Sequence, residues 1–300
     1  MKIFQSMRSG FSRAAGSWEG ILVTWIISLM LAAMIAVPLK AILKTGFGSS
    51  MITERFLHGI NIETFTDLGP LFRGFVRSFG SGILILFLIS FISNAFLTGG
   101  LFQNVSLQPG NRSFWQSCAT NFRSFLVVQA IMSIIIFFLH ATITGVPTLV
   151  ISFGDAQSEK AVFLVVLISS IVFFLVLPVF IIVADYARAY LVQDAGTGSF
   201  RAIGFGFRQT FSNLKTSWIL MLFLVVIQVI YLVLCFVILS GIIPSTGNGV
   251  FLFFILSQLL FAGRIFLRVA RYGSVTMLME LSTESSIHGN HTHDYDSGLM

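Results

Sequence analysis

Three arginines near the end of the last apolar run, Arg264, Arg268 and Arg271, follow i, i+4, i+7 spacing. That spacing sets them on one face of a helix. A guanidinium stripe of this kind grips phosphates, because each planar fork presents several N–H donors at once. Arg188, just past the fourth apolar run, is placed to join it. The four residues therefore read as a site for an anionic phospholipid headgroup or another anion. Their plainer use is to anchor helix ends at the membrane surface. Arg264 comes early enough to lie below the headgroups, where an isolated arginine costs at least about 2.5 kcal/mol to insert. Asp185 is the nearest carboxylate by depth, so an Asp185–Arg264 ion pair is expected.

Other residues along the chain carry fragments of familiar chemistry without completing any of it. Gly204-Phe205-Gly206-Phe207-Arg208-Gln209 begins like a dinucleotide loop, but Gln209 holds the third glycine position and no strand precedes it. Gly80-Ser81-Gly82 is too short for a nucleophile elbow and has no histidine nearby. His140 is a lone histidine in an apolar run, a proton relay only if it has partners and otherwise a packing residue. His288, His291 and His293 stand among Gly and Ser in the polar C-terminus, where a solvated tail is a simpler reading than a metal site. Cys118 and Cys235 fall at different depths, which disfavours a disulfide. No catalytic set, metal site or cofactor site is expected, so the chain is not expected to be an enzyme.

What must position these residues is a membrane bundle. The chain is 56% hydrophobic and 10% charged, with mean hydropathy +0.92. A soluble domain carries about 25% charged residues, and this composition could not coat one. Apolar runs lie at about 18–39, 81–104, 125–140 and beyond, 161–184, 217–241 and 250–271. Each matches the roughly 20 residues that cross a bilayer. The expected fold is all-α, a bundle of about six transmembrane helices over residues 1–282, with a flexible polar tail over 283–300. Gly145-Val146-Pro147 is expected to break or bend the third helix, and Pro178 to kink the fourth.

Twelve of the 18 basic residues fall on the side that holds both ends of the chain. The positive-inside rule then places both termini in the cytoplasm. Net charge +6 is explained by this bias without nucleic acid. Within the long first loop, Leu71, Phe72, Phe75, Val76 and Phe79 recur at helical spacing, as in an amphipathic helix at the outer interface. The first apolar run follows a polar leader and is too long for a cleaved signal, so it reads as a retained span.

The segments before spans one and five resemble each other at a shift of 200 residues: Arg8 with Arg208, Phe11 with Phe211, Ser17 with Ser217, Trp18 with Trp218. Asn121-Phe122-Arg123-Ser124 before span three echoes Asn213-Leu214-Lys215-Thr216 more weakly. Three units are implied, each an amphipathic cytoplasmic elbow followed by a transmembrane hairpin. The run Tyr186–Asp194 and the segment from Ser199 through Leu214 resemble a broad group of uncharacterised bacterial six-helix membrane proteins. That group is similar to the membrane domain attached to some glycerophosphodiester phosphodiesterases. The likeness extends to about Ser282. It implies a bacterial plasma (inner) membrane, and it carries no catalytic residues onto this chain.

The function expected from these readings is a non-enzymatic membrane scaffold or lipid-interacting protein. Its partners would be membrane lipids, anionic phospholipid among them, and another membrane protein. The alternative is a transporter or facilitator of a small neutral or anionic solute. No predicted helix core contains Asp or Glu, which argues against proton coupling.

Overall fold

The computed structural model describes residues 2–47, 69–106, 113–153, 159–194, 196–242 and 246–296. They are helical almost throughout. The helices are α1 Lys2–Gly16, α2 Trp18–Phe47, α3 Gly69–Val105, α4 Phe114–His140, α5 Val146–Ser152, α6 Glu159–Gln193, α7 Ser199–Ser212, α8 Leu214–Ser240 and α9 Gly247–Asp296. Among the described residues, six segments are long and apolar enough to span a bilayer: 18–37, 82–105, 114–151, 160–193, 214–240 and 247–283. The chain is thus an all-α, multi-pass membrane protein. The reason is elementary: in lipid every backbone amide must be satisfied within its own segment, and a helix does this.

The helices group into two compact units. One contains residues 1–22 and 95–300, the other residues 23–94. The second unit is the later part of α2 and the earlier part of α3. The stretch 71–79, expected as a separate amphipathic helix, is the start of α3 itself. Residues 48–68 of the first loop lie outside the described residues. In the first unit α9 continues as helix through 283–296, the segment whose composition suggests a tail. The side chains of His288, His291 and His293 lie outside the described residues.

Proline shapes two spans. Pro147 cannot donate to the carbonyl four residues back. The chain absorbs this in a π turn, Ala141–Gly145, where the Val146 amide reaches Ala141 O, five residues back. The third span therefore stays helical through Gly145-Val146-Pro147 instead of breaking. Pro178 lies inside α6. In the turn it disturbs, the indole Nε1 of Trp218 donates to the carbonyl of Leu175 at 3.1 Å. Trp218 is thus tied to a neighbouring helix, while Trp18 is 62% exposed.

The elbows exist as helices. α1 and α7 each end at a single non-helical residue, Ser17 and Asn213, before a span begins. The buried residues are Ser6, Gly10 and Ala14 on α1, and Ala202, Ile203, Gly206 and Thr210 on α7. A shift of 196 residues superimposes Ser6 on Ala202, Gly10 on Gly206, Ala14 on Thr210 and Ser17 on Asn213. The register is therefore 196, one turn from the 200 read in the sequence. Four residues are close to a helical turn, so the wrong register still matched one amphipathic face with another. The third elbow is not separate. Residues 114–124 are the first turns of α4, capped by Ser113 Oγ, which accepts from the Gln116 amide.

Each elbow packs through a small residue. A Cβ on Gly10 would sit 2.5 Å from Ser274 N and 2.7 Å from Ala270 O of α9. A Cβ on Gly206 would run into Val183 O of α6 and lie 3.2 Å from Ala187 N. At the third contact the glycine is on the other partner: a Cβ on Gly100 of α3 would meet Cys118 Sγ and the Phe114 ring of α4. These are small-residue contacts of the kind that let membrane helices approach closely. The order is cyclic. α7 docks on α6 and the start of α4 on α3, each the helix that ends the preceding unit, while α1 docks on α9, which ends the last.

Candidate functional site

The helices that end the three units meet near Tyr272 and Arg271. Phe102 of α3 stacks on Tyr272 of α9 at 4.5 Å between ring centres, and Phe125 of α4 meets Phe102 edge-on at 5.9 Å. Asp185 of α6 reaches the same region. From Lys160 to Asp185 and from Gly247 to Arg271 the spans climb by roughly equal amounts, 36–38 Å at 1.5 Å per residue. Equal depth makes contact between the two side chains feasible.

Asp185 is fully buried. Its Oδ1 accepts from Arg188 Nη1 at 3.2 Å, across one turn of α6. Its Oδ2 lies 3.0 Å from Arg271 Nε on α9. The second contact is an ion pair by distance but lacks hydrogen-bond alignment, so Oδ2 and Nε are each without an aligned hydrogen-bond partner in the protein. The Arg271 guanidinium also stands 5.2 Å from the centre of the Tyr272 ring, within cation–π range. One residue along from Asp185, the Tyr186 hydroxyl shares a 3.0 Å hydrogen bond with Ser217 of α8, so the turn carrying the carboxylate is held on both sides.

The expected Asp185–Arg264 pair is replaced by Asp185 with Arg188 and Arg271. Arg264 and Arg271 do share an azimuth, as the spacing requires, but they differ in depth. Arg264 lies where α9 is exposed, whereas Arg271 is only 15% exposed where α6 closes on α9. Arg268 is half-buried and engaged in an interaction of its own. The four predicted anion-site residues are therefore not one stripe. Arg188 and Arg271 converge on Asp185, and Arg264 faces outward.

A second ionic site had no local signal. Arg13 of α1 donates through Nη2 to Glu280 Oε2 of α9 at 2.8 Å, and through Nη1 to the carbonyl of Val105 at 3.0 Å. Val105 is the last residue of α3, whose terminal carbonyls lack helical partners. One guanidinium thus caps α3, a favourable place for a cation, and ties α1 to α9. The pairing crosses 267 residues, so no spacing rule exposes it. The equivalent position on α7, Gln209, also reaches α9, donating through Nε2 to Ser282 Oγ.

His140 lies on the exposed side of α4, with Phe173 edge-on at 4.8 Å. Gln129 is buried within the same helix. Gly204–Gln209 is helical, within α7. Cys118 and Cys235 are free thiols. Among the described residues no group of three or more His, Cys, Asp or Glu is placed to hold a metal. Compared with known proteins, the chain matches no family model, no curated sequence and no solved structure.

Proposed function

We propose that this chain is a non-enzymatic, lipid-interacting scaffold of a bacterial plasma membrane, with both termini in the cytoplasm. The observation that carries the reading is the two-sided character of the elbows. One face of α1 and α7 packs on a span. The other face exposes Phe4 and Phe200, each at 77%, among exposed Lys2, Arg8, Arg201 and Arg208. Phe4 and Phe200 occupy equivalent places in the 196-residue register. Large aromatics beside arginines on an exposed helical face are suited to the headgroup boundary, where rings enter the acyl region and cations meet anionic lipid.

The elbow reading is tested by depth. Spin labels at Phe4→Cys and Phe200→Cys, in otherwise Cys-free protein in liposomes, should be relaxed by oxygen more than by an aqueous nickel reagent. Labels at Ser12→Cys and Ser212→Cys, on exposed polar positions, should show the reverse. Equal aqueous access at all four sites would exclude membrane-embedded elbows.

Orientation is tested separately. Cysteine at Asn248, exposed at the start of α9, should react with an impermeant thiol reagent in intact cells. Cysteine at Ser12 should react only after lysis. The opposite pattern would invert the topology.

A further inference from the structure

The cluster of Asp185, Arg188 and Arg271 holds two guanidinium groups and one carboxylate, so one positive charge has no counter-charge within it. The arginine side chains are only 11% and 15% exposed. Charge this far from solvent is retained when it is paired or hydrogen-bonded. The other carboxylates whose side chains are described are engaged or exposed. Glu280 takes Arg13, Asp194 accepts from Tyr190 and Thr197, and Glu19 is exposed on α2. The donors agree with the charge count: Arg188 Nε is buried without an aligned acceptor among the described residues, and Arg271 Nε meets Asp185 Oδ2 at 3.0 Å without hydrogen-bond alignment.

The geometry points to a single internal anion site at Arg188 and Arg271, taking one phosphate group. Asp185 draws two guanidinium forks to one place, and together they carry more N–H donors than one carboxylate can accept and a surplus of one positive charge, which suits the tetrahedral oxygens of a phosphate. The phosphate is that of an anionic lipid headgroup or a free phosphate. The site deepens the lipid-binding reading and rests on it only for the source of the phosphate.

The test is native mass spectrometry of the full chain in neutral detergent. The probes are phosphatidylglycerol, phosphatidylcholine and inorganic phosphate, each titrated alone. One phosphatidylglycerol per chain should persist at the lowest lipid level. Arg188→Gln leaves a balanced Asp185–Arg271 pair and should weaken that binding roughly tenfold or more. Asp185→Asn adds to the surplus charge and should strengthen it in similar measure, and the double variant should return close to the parent. Arg188→Lys keeps the charge and should keep most of the binding.

If inorganic phosphate binds and responds to Arg188→Gln while phosphatidylglycerol does not bind, the site stands and the lipid source fails. Arg8→Gln with Arg208→Gln should remove loosely held lipid but leave the last one. If that pair strips the last lipid instead, the elbows hold it and the internal site is overturned. Both probes unchanged in Arg188→Gln also overturns it. If Asp185→Asn does not fold, Arg188→Gln against Arg188→Lys still decides.

Discussion

Asp185→Asn is expected to lower the stability of the purified protein in neutral, lipid-free detergent by about 3–5 kcal/mol, the range for removing one partner of a buried ionic group. The carboxylate is wholly buried and serves two guanidinium groups on two helices. Its loss leaves both cations close together and uncompensated. Arg271→Gln should cost less, about 1–2 kcal/mol, because Arg188 remains to pair the carboxylate. Arg264→Gln should be nearly neutral, since that side chain is exposed. Thermal unfolding followed by tryptophan fluorescence gives the order. A double-mutant cycle should show coupling between Asp185 and Arg271 and none between Asp185 and Arg264. Coupling with Arg264 instead would mean that α6 does not meet α9 at Arg271.

The second large effect is expected at the elbow glycines. Gly10→Ala and Gly206→Ala should each destabilise by about 1–3 kcal/mol, the usual cost of overpacking a close contact. At Gly206 the added methyl meets the backbone carbonyl of Val183, which cannot rotate aside. At Gly10 it meets Ser274 N and Ala270 O, again backbone. Gly204 is the internal control. It lies on the same helix as Gly206, is exposed, and a Cβ there meets nothing within 4 Å. Gly204→Ala should therefore stabilise the helix by roughly 0.5–1 kcal/mol. If Gly204→Ala and Gly206→Ala changed stability in the same direction, close docking of α7 on α6 would be excluded. Larger residues at Gly206 should enlarge the loss.

Much of the architecture was legible without coordinates because a bilayer imposes a one-dimensional rule. Length and hydropathy alone place six spans, and Trp18–Val37 and Leu214–Ser240 agree with the apolar runs near 18–39 and 217–241. The elbows were legible because their Phe and Arg residues repeat at helical spacing. The register was not, because a shift by one turn preserves the face. Only contact with α9 and α6 identifies Gly10 and Gly206 as the equivalent pair. Charge followed the same division. Arg264, Arg268 and Arg271 were readable as one azimuth of one helix, yet azimuth says nothing of which neighbour closes over a given depth. That α6 reaches Arg271 and leaves Arg264 exposed follows from where helices cross, a three-dimensional fact. Arg13, Glu280 and Val105 lie further still from any sequence rule. They meet because the first helix docks on the last, and loop entropy rises only slowly with the length of chain between two contacting residues. The sequence determined that this chain spans a membrane and carries basic elbows. The tertiary structure alone decided which arginines share the buried carboxylate of Asp185.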